Sequence, residues 1–125
     1  MKFAGVFLWL AVGLASAPQA VLTDDVYQIP AREWRFVEFV LKQQPVAVEC
    51  NFQVVSAGPG VRLELVTKEE LRQFLFSKPH ESLAITGYET RGELRLPVRT
   101  PGEYAIVIAS SPLARASASV HLRLN

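Results

Sequence analysis

Two histidines, one cysteine and 12 acidic residues are the groups this chain offers for bond-making chemistry. His80 lies in Lys78-Pro79-His80-Glu81 and His121 in the closing segment, without the close Cys or His pairing that a zinc set uses. Asp24-Asp25 resembles half a calcium site. Calcium takes about six to eight oxygen ligands, and the chain has no other aspartate, so a solvated turn before the first strand is the simpler reading. No Gly-x-Ser-x-Gly elbow is present. Glu69-Glu70 is explained by helix capping and the helix dipole. Two carboxylates from different strands could still meet in a cleft, as a small hydrolase would need, and this is the least favoured reading. No catalytic, metal or cofactor residue is assigned.

Cys50 falls in the alternation Val46, Val48, Cys50, Phe52, Val54, which turns it inward as a small hydrophobe. A lone cysteine cannot form an internal disulfide, and a reactive or intermolecular thiol is the sharper alternative.

Binding has better candidates. Trp34, Tyr27 and Tyr88 are rings that could stack on a sugar or grip a partner. Trp34 lies in an apolar-rich strand, so a place in the core is the simpler expectation for it. Arg91, Arg95 and Arg99 recur at every fourth position, and on a strand Arg95 and Arg99 share the outer face. Arg95, Arg99, Trp34 and Tyr88 are therefore the candidate partner-binding residues.

These side chains need strands to hold them. Val26–Ile29, Arg32–Leu41, Val46–Val55, Val61–Val66, Leu83–Thr86, Glu93–Arg99 and Ser117–Leu124 read as strands, most of them alternating with one apolar face. Pro97 removes a ladder donor, so its strand is expected at an edge or with a bulge. Pro101-Gly102 makes a turn into Glu103–Ile108, which is apolar or small on both faces and suits a central, covered strand. Thr67-Lys68-Glu69-Glu70 is a capping box that opens one short helix, with Leu71, Phe74 and Leu75 on one face. That helix is expected to close one open end of the fold. Seven or eight strands with one helix predict an all-β fold, an antiparallel β-sandwich of jelly-roll or immunoglobulin-like kind.

The first twenty residues stand apart. Met1-Lys2 is a positive start, Phe3 to Leu14 an apolar run, and Ala15-Ser16-Ala17 a small-residue end. This is the order of a secretory signal peptide, too short to span a bilayer, which takes about 20 apolar residues. Pro18 blurs the cleavage site between Ala15 and Ala20. The reading is a signal peptide at 1–20 and a single domain at 21–125, secreted or periplasmic. Removing Lys2 from the 13 basic residues leaves 12 against 12 acidic ones, a balance that argues against nucleic acid or an anionic membrane as partner. No later apolar run is long enough for a transmembrane segment.

Leu63 to Thr67, then Pro101-Gly102-Glu103-Tyr104, then Val120 to Leu124 follow an order that resembles bacterial exported β-sandwich domains of the pre-peptidase C-terminal type, and GOLD domains. The resemblance implies a noncatalytic domain that mediates binding or assists secretion, and it transfers no functional residue. The expected function is an exported module that binds a protein or cell-envelope partner. The alternative is a carbohydrate- or small-ligand-binding sandwich. Exposure of Trp34 and Tyr88 on one face separates the two.

Overall fold

The computed structural model describes residues 23–42, 46–56, 58–98 and 100–124. The leader at 1–20, the turn residues 43–45 and Arg99 lie outside that set. Eight strands and one helix follow in order: β1 (Thr23–Ile29), β2 (Trp34–Leu41), β3 (Val46–Val54), β4 (Val61–Thr67), α1 (Lys68–Leu75), β5 (Ala84–Ile85), β6 (Arg91–Val98), β7 (Gly102–Ser110) and β8 (Ala118–Leu124). They form two antiparallel four-stranded sheets. Sheet A runs β1-β8-β3-β6 and sheet B runs β2-β7-β4-β5. The expected all-β sandwich is what forms. Among the described residues no helix is long and apolar enough to cross a membrane.

The alternating strands build the core directly. Cys50, Phe52 and Val54 of β3 and Val120, Leu122 and Leu124 of β8 meet Val37 and Phe39 of β2, Leu63 and Leu65 of β4, and Ile106 and Ile108 of β7. Period-two patterning puts one face of each strand into this layer. β7 is central in sheet B, between β2 and β4. Its second face is covered too, because Leu71 and Phe74 of α1 pack on Val66, Ala105 and Val107. Tyr104 locks the turn before β7: its ring stacks on Phe39 and its hydroxyl donates to the carbonyl of Thr100. β6, which carries Pro97, is an edge strand as expected.

Three expectations change. β1 begins at Thr23, so Asp24 and Asp25 belong to a strand and not to a turn. Pairing with β8 recruits them, and Asp24 Oδ1 sits 2.6 Å from His121 Nε2 on the polar face. Helix α1 does not close an end of the sandwich. It lies on the outside of sheet B, because β7 and β4 present an apolar outer surface there. The capping box is half made. Thr67 Oγ1 accepts from the Glu70 amide at 3.1 Å, whereas the Glu70 carboxyl turns away and accepts from the Glu81 amide at 2.8 Å.

Candidate functional site: the outer face of sheet B

Strand register assembles this face in rows. Trp34 of β2 stands beside Ala109 of β7, and Ala109 beside Arg62 of β4. With neighbouring strands about 4.8 Å apart, Trp34 and Arg62 are roughly 10 Å apart across the row. Ala109 contributes only a methyl group and stays partly open, although its strand is central. Ala109 thus separates the Trp34 ring from Arg62 along this row.

Tyr88 stands beside Arg62 at the end of this row. The segment carrying it is tied to β4 by a bridge between Val61 and Glu89, with hydrogen bonds of 2.9 and 3.0 Å. The approach is close enough to require Gly60, because a Cβ there would lie 2.1 Å from the Glu89 carbonyl. Held in this way, the Tyr88 ring receives the Arg62 guanidinium carbon 5.2 Å from its centroid, a cation–π geometry. Arg62 Nε is buried and has no hydrogen-bond partner among the described residues. Unpaired buried donors are costly, and the contact with the Tyr88 ring holds this guanidinium group in place.

The next row holds Phe36, Val107, Glu64 and Ile85. Glu64 is only 4% exposed. Its Oε2 lies 2.5 Å from His80 Nε2 and also accepts from the Ser82 hydroxyl. A nucleophile relay places the histidine between serine and acid. Here the carboxyl lies between the other two, so the group works as a strut that ties the segment after α1 to the sheet. Edge-on ring contacts continue from it. His80 meets Phe74 at 5.2 Å and Phe74 meets Trp34 at 4.8 Å, while Trp34 and Phe36 are 6.1 Å apart. A cavity of about 490 Å³ lies along the β2 side of this face, lined by Arg32, Glu33, Trp34, Arg35 and Phe36.

The four candidate residues separate. Trp34 is not in the core. It is 36% exposed, and Tyr88 is 41% exposed. An antiparallel sheet can leave one face to solvent, and Trp34 is in the phase opposite Val37 and Phe39, which turns it to the outer face. Arg95 lies on the opposite sheet, where its guanidinium is 3.8 Å from Glu49 directly across β3. Arg99 is outside the described residues. Tyr27 is part-buried against the core, with its hydroxyl 3.0 Å from Thr23 Oγ1. Cys50 is 1% exposed, and burial pushes its thiol up to about 12, so the reactive-thiol alternative is overturned. Sequence reading missed Arg62, Phe36 and Phe74. Phe36 had a signal, since it shares a strand face with Trp34 two residues away. Arg62 had none beyond its outward phase. Among the described residues, no group of three or more His, Cys, Asp or Glu is placed to hold a metal ion.

No family model and no curated protein matches the sequence. Solved structures match in fold. The pre-peptidase C-terminal domain of a collagenase from Bacillus anthracis superposes with a TM-score of 0.58 at 9% identity, covering 82% of this chain and 89% of that one. The Yersinia pseudotuberculosis-derived mitogen superposes with a TM-score of 0.61 at 7% identity, covering 82% and 83%. At these identities the likeness is one of fold alone. This chain is a β-sandwich similar in architecture to pre-peptidase C-terminal domains, as the order of its strand motifs suggested.

Proposed function

We propose that residues 21–125 are the mature domain of an exported, noncatalytic module that binds a protein or cell-envelope partner through the outer face of sheet B around Trp34. One asymmetry carries this reading. Exposed Trp34, Phe36, Leu75, Phe76, Leu83, Ile85 and Tyr88 gather on sheet B or on segments attached to it, whereas Val26, Val55 and Leu113 are exposed singly elsewhere. The outer face of sheet A is mostly polar and paired with itself, through Asp24 with His121, Gln28 with Ser119, and Glu49 with Arg95, with Val26 a lone exposed apolar side chain on it. A one-sided apolar surface of this kind marks an interaction site. The leader sequence supports export. The two fold neighbours, a collagenase domain and a mitogen, support a module reading and bring no residue with them.

The second reading is a glycan or small anionic ligand held near Trp34, Arg62 and Tyr88. The half-exposed rings of Trp34 and Tyr88, with Arg62 between them, favour it specifically. Crosslinking with the mature chain in the exported fraction of its own cell tests both. The expected result is one dominant protein, lost with Trp34→Ala and retained with Arg95→Glu. Loss with Arg95→Glu alone would move the site to sheet A. No protein partner, with a glycan-array signal that Tyr88→Ala removes, would establish the second reading.

A further inference from the structure

Strand β2 is a long free edge. Among the described residues it pairs with β7 only. The Ser110 amide donates to the Glu33 carbonyl at 2.8 Å. Antiparallel ladders alternate, so Arg35, Val37 and Phe39 turn their backbone groups toward β7. Trp34, Phe36, Glu38 and Val40 turn theirs to the open side. Arg35 agrees with this phase, because its Nη1 donates to the Trp34 carbonyl at 2.7 Å in an exposed bond. A flexible side chain thus occupies one edge acceptor.

Free edges are normally blunted. β5 has two residues, β6 carries Pro97, and β1 carries Asp24-Asp25. β2 has eight residues with neither proline nor glycine, its charges are one of each sign, Arg35 and Glu38, and Trp34 and Phe36 are exposed on it. The 490 Å³ cavity runs along the same stretch, with Arg32 and Arg35 against a single carboxylate, Glu33; Arg35 lies 3.5 Å from Glu33 Oε1 in an exposed pair, and Arg32 Nη1 donates to the Ala114 carbonyl at 3.4 Å.

We propose that β2 is a strand-addition site. An extended segment of a partner protein, apolar at alternate positions and with a carboxylate opposite Arg35, pairs along Trp34–Val40 and extends sheet B. The proposal rests on the reading that this face binds a protein, and names how. The partner's carboxylate draws the Arg35 guanidinium off the Trp34 carbonyl and frees that acceptor for the ladder. The partner's outward side chains then lie beside Trp34 and Phe36. A second copy of the chain fits less well. Two-fold pairing over most of β2 sets Arg35 opposite Val37 or Phe39 of the copy, with no carboxylate across from it.

The test is selection of a displayed library of random peptides against the mature chain, followed by titration of the enriched peptides. Glu38→Pro removes an N–H that points away from β7, so the melting temperature should hold. Binding should fall about tenfold or more, from the lost ladder bond and the ring in its path. Arg35→Glu should abolish the preference for acidic peptides. The amides of Phe36 and Glu38 should gain protection from hydrogen exchange in the complex. If Glu38→Pro melts early, N-methylation of alternate peptide amides supplies the same readout and should remove binding. No enrichment, or peptides that bind Glu38→Pro as tightly as the parent, would overturn the proposal. Binding lost with Trp34→Ala but kept with Glu38→Pro would preserve the binding face and reject strand addition. Concentration-dependent dimerisation abolished by Glu38→Pro would replace the partner strand with a second copy.

Discussion

His80 Nε2 lies 2.5 Å from Oε2 of Glu64, a carboxyl that β4 buries in a largely apolar surface. The Ser82 hydroxyl donates to the same oxygen. A buried carboxyl with one of its two partners removed bears a desolvation cost of about 1–3 kcal/mol. His80→Ala should therefore lower unfolding stability by that amount in urea, with the m-value unchanged. It should also open the segment 77–83 to protease. A change below about 0.5 kcal/mol would show that Ser82 alone suffices.

Gly60 governs Tyr88 from a distance. A methyl group at position 60 would meet the Glu89 backbone at 2.1 Å, and backbone cannot swing aside as a long side chain can. Gly60→Ala should break the Val61–Glu89 bridge and destabilise the fold by about 2 kcal/mol or more. The Tyr88 ring should leave Arg62, which NMR chemical shifts of the ring would report. An unchanged Tyr88 signal would mean that the bridge does not position the ring.

Thr67 caps α1 through the Glu70 amide. Thr67→Ala should cost about 1 kcal/mol. Glu70→Ala should cost little at the cap, because its carboxyl serves Glu81 instead. Its effect should appear as faster amide exchange at Glu81. Equal losses from the two substitutions would restore a complete capping box in solution.

Cys50 gives a pH signature. Burial raises its thiol from the ordinary 9.0 to about 12. Between those values the unfolded chain has lost the proton that the folded chain still holds. Stability should therefore fall as pH rises through this window, by up to about 1.4 kcal/mol per unit. Urea unfolding across the window, against Cys50→Ala, isolates the slope. The same burial predicts no reaction with thiol reagents at about pH 8 until the chain unfolds. Rapid labelling of the native chain would contradict the buried placement.

Local pattern and tertiary structure contributed differently to this protein. Alternation over Val46–Val54 and Ala118–Leu124, the Pro101-Gly102 turn and the Thr67 cap were legible because each depends on residues a few positions apart. They settled the strands, the sandwich and the buried Cys50. The sequence also carried the export expectation for the leader, whose residues lie outside the described set.

What no local pattern held was register. Trp34, Ala109 and Arg62 share a row only because β7 inserts between β2 and β4, joining segments far apart in the chain. The same insertion made β2 an edge, while packing of Val37 and Phe39 into the core turned Trp34 to the outer face. It also gave α1 an apolar surface on the outside of sheet B in place of an open end. A strand's alternation says which residues share a face. Only its neighbours, chosen by the packing of the whole core, decide whether that face is covered and which distant side chains stand beside it.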